Sequence, residues 1–364
     1  MKFFNSLLLL GSLTFVLSCC SKSTDDTNQG GEVTPPPVLE FVKGADLSFL
    51  PFLESKNTTF YNKEGLATNA LDLFKERGMN TVRIRIWHDP STSASSFEEV
   101  KEFSKLVKSK GLFVWLCVHY SDHWADPGQQ AKPAAWENLS FEVLKDSVFQ
   151  YTKKLALEIQ PDLIQIGNET NNGFLWPTGK LSENKTQYLE LAKQGINAVR
   201  EFSSSSKIML HHAGTQGSDW YFSQTSSLDY DFIGLSYYPW WHGNDLDEWE
   251  ASLKTIKQKF GKDFIIAETA YPFTLNWNDW TTNIVGSEDQ LVAAYSASSL
   301  GQKEFLLALK DKIKLAGGVG FCYWAPDWVA WDGEESTQGS PWENLALFDF
   351  NKKETEALEA FYGE

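Results

Sequence analysis

Two glutamates stand where a chain rarely leaves charge without a use. Glu169 follows the apolar run 163–166, and Glu268 closes the apolar run 263–267. A carboxylate at the end of a buried strand is costly unless it is paired or working. Either one alone reads equally well as a salt-bridged structural residue. Together they match glycoside cleavage by two carboxyl groups, one protonating the leaving oxygen and the other attacking the anomeric carbon. Retaining enzymes hold such groups about 5–5.5 Å apart. Their protonation states must then be split, with the acid kept protonated and the nucleophile kept ionised. A fixed cation would keep one of them charged. Arg83 and Arg85 share a side-chain parity, and both can serve. His119/His123 and His211/His212 are close pairs, but no Cys set or His-Glu-x-x-His helix accompanies them, so no catalytic metal is expected.

The elements that would position these residues alternate along the chain. Apolar, β-branched runs occur at 41–45, 81–86, 112–118, 163–166, 207–211, 231–235, 263–267 and 319–323. Amphipathic stretches at 64–77, 97–110, 142–159, 186–202, 247–260 and 288–315 lie between them. Eight strands, each followed by helical or loop sequence, predict a single α/β domain, a (β/α)₈ TIM barrel over residues 38–364. A doubly wound open sheet is the rival, and it would want a G-x-G-x-x-G after the first strand, which is missing. The barrel demands functional residues just after each strand. Arg83 to Pro90, His119 to Pro127, Gly167 to Glu169, His211-His212, Ser236 to Trp241, Ala267 to Thr269 and Tyr323 to Trp328 all collect there. The fourth and seventh strands face each other across a barrel mouth, so Glu169 and Glu268 can meet. Thirteen of the fifteen Trp fall at such ends or in the following loops, Trp115 and Trp249 being the others. Flat aromatic faces suit sugar rings, so this placement favours a ligand cleft over a Trp-rich core.

The 364 residues carry a net charge of −16, which argues against a nucleic-acid or anionic-membrane surface. Residues 1–19 read as an export signal: Lys2, a short apolar run at 7–17, and Val16-Leu17-Ser18-Cys19 in the manner of a bacterial lipobox. An ordinary cleaved signal, or Cys20 as the lipid site, is the alternative. Residues 20–37 are polar and Pro-rich, a tether rather than a packed element. The chain is therefore expected in the outer membrane, at the cell surface, touching lipid only through Cys19. Cys117 and Cys322 lie inside apolar runs and are expected as buried free thiols.

The chain resembles the family 53 glycoside hydrolases, the endo-β-1,4-galactanases, from about residue 43 to 350. The matching pieces are Lys43 to Ser48, Asn80 to Trp87, His119 to Pro127, Ile166 to Glu169 with Leu175 to Gly179, Gly234 to Pro239, and Ala267 to Thr269. The resemblance implies a retaining hydrolase of β-1,4-galactan with Glu169 as acid/base and Glu268 as nucleophile. It implies that Asn168 donates to the sugar 2-hydroxyl, that Arg83 pairs with the nucleophile, and that Tyr238 lies beside it. Trp87, Trp124, Trp176 and Trp324 are the expected stacking platforms, with plain core packing the alternative for each. His119, Asp122 and Asp126 either bind hydroxyls or brace their loop. The sequence departs from the family pattern at Cys117, where relatives carry Asp, and at Ala325, where they carry Glu. Some bacterial members hold calcium in the loop after the seventh strand. Here residues 275–280 supply one acid, so calcium is not expected there, although residues 327–343 have acids of their own. No other cofactor is implied. A related glycosidase acting on mannan or glucan, and a catalytically dead glycan-binding lipoprotein, are the remaining readings.

Overall fold

The computed structural model describes residues 41–363, and the expectations for residues 1–19 and 20–37 lie outside the described residues. Eight parallel strands close into a barrel. They are β1 Val42–Asp46, β2 Thr81–Ile86, β3 Phe113–Val118, β4 Leu163–Ile166, β5 Lys207–Ala213, β6 Phe232–Tyr237, β7 Asp263–Thr269 and β8 Gly320–Trp324. Closure of β1 on both β2 and β8 removes the open-sheet alternative. No helix among the described residues is long and apolar enough to cross a membrane.

The helices pack around the barrel by their apolar stripes. In the helix Phe97–Ser109, Val100, Phe103 and Val107 are buried at helical spacing, and Ser96 caps the N-terminus by accepting from the backbone N–H of Glu99. Two helices are shorter than their periodicity predicts. The stretch 64–77 is helical only over Ala70–Glu76, because Asn69 caps at that point and Gly65 turns a short hairpin between 60–61 and 67–68. Leu66 is exposed in that turn rather than on a helix face. Likewise 288–315 becomes helical at Ser299, where Ser298 caps. Three short helices carried no readable periodicity: Leu50–Ser55, Ser218–Gln224 and Pro239–His242.

The lumen is filled from below. Val42, Trp115, Leu163, Met209, Ile265, Ala267 and Cys322 form a separate buried layer drawn from six strands. Trp115 is fully buried there and lies 5.6 Å beneath the Arg83 guanidinium. This plug leaves the C-terminal mouth free for polar side chains. Both Cys117 and Cys322 are buried free thiols, as expected.

Strand β7 carries an irregularity that matters. On one side its register jumps from Leu235↔Ile266 to Ser236↔Glu268, and on the other from Phe321↔Ile266 to Tyr323↔Thr269. One extra residue, at Ala267, therefore bulges the strand and re-aims the side chain that follows. That side chain is Glu268.

Candidate active site

Gly167, Asn168 and Glu169 make the turn that ends β4. Gly167 sits at φ 82°, and a Cβ there would stand 2.4 Å from Thr170 Cγ2. Glu169 itself lies in the left-handed region at φ 44°, a strained conformation of the kind that clusters at functional sites. Gln130 clamps the turn by donating from Nε2 to the carbonyl of Asn168 at 2.8 Å. Sequence reasoning passed over Gln130, because nothing local marks a loop glutamine as reaching back to another strand.

Glu268 meets a dense set of partners. Arg83 Nη2 donates to Glu268 Oε1 at 2.8 Å, and the Tyr238 hydroxyl donates to Oε2 at 3.1 Å. Arg83 also donates from Nη1 to Asp46 Oδ2 at 2.7 Å and from Nη2 to Asn168 Oδ1 at 2.8 Å. Only 1 % of the Arg83 side chain is exposed, so its charge is committed to these acids. Arg85, the rival on parity, takes no part. Its guanidinium lies 4.1 Å from the Trp124 ring, 4.6 Å from Trp87 and 4.8 Å from Phe49, and its Nε donates to Ser95. Cys117 lies under this network, accepting weakly from Arg83 Nη2 at 3.2 Å, and burial pushes its thiol up to about 12. It is therefore neutral where an Asp would add charge.

One carboxylate oxygen of Glu169, one of Glu268 and one ring nitrogen of His211 lie within 4.8 Å of one another. Burial raises both carboxyls, and the two are split. Burial, then the facing Glu268, lifts Glu169 to about 8. Glu268 is raised by burial too, but Arg83 and the hydrogen bonds from Tyr238 and Arg83 pull it back. Glu169 is thus the better proton holder, and the Arg83 contact favours charge on Glu268. His211 is not free to bind a metal, because both ring nitrogens are engaged, Nδ1 by Gln165 and Nε2 by Ser236.

The surrounding cleft encloses about 590 Å³. Arg83, His119, Trp124, Asp126, Asn168, Tyr238 and Trp324 line it with the two glutamates. Asn168 keeps one amide hydrogen available, since its Nδ2 meets a single acceptor, the carbonyl of Ala125. His119 Nδ1 accepts from the Ala125 backbone and from Trp87 Nε1, so its Nε2 carries the proton. Burial, with Arg85 and Arg83 nearby, holds His119 neutral. Its role is therefore that of a fixed donor.

Three expected residues do not line this cleft. Trp87 lies behind it, edge-on to Trp124 at 5.4 Å and donating to His119. Asp122 accepts from the backbone N–H groups of Asp89 and Ala134 and so ties loops together. Trp176 donates from its indole to the carbonyl of Asn172. Nor do most tryptophans gather here: only Trp124, Trp241, Trp324, Trp328 and Trp342 line the cleft. Trp136 instead packs on His88 and Tyr151, and Trp277 and Trp280 are exposed. Position after a strand says which end of the barrel a residue occupies, not whether it turns inward. Asp46, Trp342 and His242 line the cleft without having been singled out.

In the loop after β7 the single acid Asp279 is joined by Glu343 from the next loop. Glu343 Oε1 accepts from the backbone N–H of Asn278 at 2.7 Å. Asp279 Oδ2, Asn283 Oδ1 and Glu343 Oε2 are buried without a partner among the described residues. Three such oxygens fall short of the six to eight that calcium takes. Asp279 Oδ2 is also pressed against Gly339, where an added Cβ would stand 2.0 Å away. These side chains alone do not complete a calcium shell.

Comparison with known proteins places the chain. Residues 42–361 match glycosyl hydrolase family 53. The arabinogalactan endo-β-1,4-galactanase of Cellvibrio japonicus is 35% identical over 344 residues, covering 88% of this chain and 89% of that protein. The endo-β-1,4-galactanase of Bacillus subtilis is 32% identical over 373 residues, covering 88% and 85%. The solved Ignisphaera aggregans GH53 catalytic domain superposes with a TM-score of 0.84 at 34% identity, covering 90% of this chain and 97% of that one.

Proposed function

Since the chain belongs to glycosyl hydrolase family 53, we propose that it is a retaining endo-β-1,4-galactanase that cuts internal bonds of pectic galactan by double displacement. The observation that carries the chemistry is the pair of carboxyls with one oxygen of each within 4.8 Å, one lifted to about 8 and the other raised by burial but opposed by its 2.8 Å contact with Arg83. That separation suits direct attack, since inverting enzymes leave room for a water and space their carboxyls about 6.5–9.5 Å apart.

In the first step Glu268 attacks the anomeric carbon while Glu169 protonates the departing oxygen. Glu169 is then ionised, and in the second step it takes a proton from the water that releases the sugar. Arg83 and Tyr238 orient the Glu268 oxygens throughout. Asn168 and His119 offer donors to ring hydroxyls, and such bonds help catalysis when they strengthen in the transition state. The chemistry needs no cofactor. Trp124, Trp241, Trp324 and Trp342 give the cleft several flat faces, which favours binding a run of sugars over a single terminal one. The sequence before the barrel supports export with a lipid on Cys19 and a position at the cell surface.

Timed digestion of unbranched β-1,4-galactan, β-1,4-mannan and cellulose tests the substrate. A spread of galacto-oligosaccharides should appear early, with mannan and cellulose nearly untouched. A site built to pair one hydroxyl rejects an epimer, because its own polar groups are left unpaired. Galactose alone from the first minutes, or mannan cut at a comparable rate, would remove this reading.

A further inference from the structure

A line of hydrogen bonds runs from β5 through β6 to the acid. His211 Nε2 lies 2.9 Å from Ser236 Oγ, and Ser236 Oγ lies 2.6 Å from Glu169 Oε1. His211 and Ser236 are fully buried, and neither has a part in the chemistry described above.

The direction of the line follows from its far end. His211 Nδ1 faces the backbone N–H of Glu169 at 3.3 Å, a group that can only donate. It also faces Gln165 Nε2 at 2.9 Å. The amide of Gln165 cannot be turned round, because its Oε1 accepts from Arg83 Nε at 3.3 Å. Asn168 Oδ1, 3.2 Å from Nδ1, is already taken by Arg83 and Gln165. Nδ1 therefore carries the lone pair, and the ring proton sits on Nε2. Nε2–H donates to Ser236 Oγ, which leaves the serine one proton and one place to send it. Glu169 Oε1 receives it. We infer that Ser236 and His211 are positioning residues that hold Glu169 Oε1 as an acceptor and so place the transferable proton of Glu169 on Oε2.

The consequence is specific. A carboxyl free to rotate offers its proton from either oxygen, and only one can point at the leaving group. Fixing Oε1 removes the wrong choice and orients the acid before substrate arrives. The serine bond also favours the ionised form, against burial and Glu268, which hold Glu169 protonated. A neutral imidazole is needed to keep the line pointing one way. Burial, then the nearby Arg83, keep His211 neutral.

Ser236→Ala tests this, and the test rests on Glu169 being the acid. The carboxyl is also faced by Glu268 from β7, Arg83 from β2, Asp126 from the loop after β3 and Tyr238 after β6. His211 is faced by Arg83, His119, His212 and His242. All of these remain in the variant. The alkaline limb of kcat/KM on galactan should move to higher pH, because the bond lost favoured the carboxylate. The rate on galactan should fall roughly tenfold or more, within the range general acids contribute. The first-turnover burst from a 2,4-dinitrophenyl β-galactobioside should be nearly spared, since that leaving group needs no proton. His211→Gln should shift the limb the same way, and its effect should vanish when added to Ser236→Ala. A limb that stays put or moves down, or equal losses on the two substrates, overturns the inference. Failure of the premise looks different: if Glu169 is not the acid, Glu169→Ala will lose the dinitrophenol burst as well.

Discussion

At the scale of single residues, Glu169 shows how a catalytic group is set against the stability of its own fold. Its carboxyl titrates near 8 in the folded chain, against about 4.3 in an unfolded one. The folded state therefore binds the proton more tightly, and the stability this group contributes declines as pH rises between those values. Glu169→Gln removes the ionisation and keeps an acceptor for Ser236. Calorimetry should show a melting temperature a few degrees higher than wild type at pH 7, and equal to it near pH 4. The same titration sets the working range, since kcat/KM should fall above about pH 8 as the acid ionises. Both glutamates stood out by type and place, whereas Asn168, Tyr238 and the choice of Arg83 over Arg85 came from the family resemblance. Ser236 and His211 could be placed at the strand ends but given no role, and Gln130 was passed over. A hydroxyl, a buried imidazole and an amide acquire meaning only from what stands opposite them across the barrel.

At the scale of elements, two departures from regular backbone bring the carboxyls together. The bulge at Ala267 turns Glu268 toward Arg83, and the turn at Gly167 holds Glu169 at positive φ. Gly167→Ala meets both a disfavoured φ and Thr170 Cγ2 at 2.4 Å. It should cost about 1–2 kcal/mol or more in stability. At temperatures where the variant is fully folded, kcat should still fall by more than tenfold, because Asn168 and Glu169 move with the turn. Melting curves beside kcat measurements check this, and a destabilised variant of normal kcat would show that the turn is only structural. The long apolar runs and helical stripes made the eight strands and the larger helices readable. Their ends were less so at 64–77 and 288–315, where the caps at Asn69 and Ser298 decide the start and the apolar spacing runs past them. The bulge left no mark in the sequence, since it exists only in the pairing of β7 with its neighbours.

At the scale of the whole molecule, the proposed anchor at Cys19 and the catalytic barrel fall in separate stretches of chain. Cys19→Ala should release the protein from the membrane fraction, by fractionation and blotting, with unchanged turnover of soluble galactan, because the polar, Pro-rich sequence 20–37 is expected to act as a tether. The barrel, for its part, draws the two carboxyls from strands far apart in sequence and closes them over a plug of apolar side chains. The proposed mechanism requires that Glu268 form the covalent bond to sugar and that Glu169 handle the proton. Azide rescue of the two alanine variants on an aryl galactobioside tests it most directly, with the anomeric configuration of the product read by NMR. Azide entering the space vacated in Glu268→Ala should give the α-galactosyl azide. In Glu169→Ala it should intercept the covalent intermediate from the opposite face and give the β-azide. The same two products with the residues exchanged would contradict the assignment.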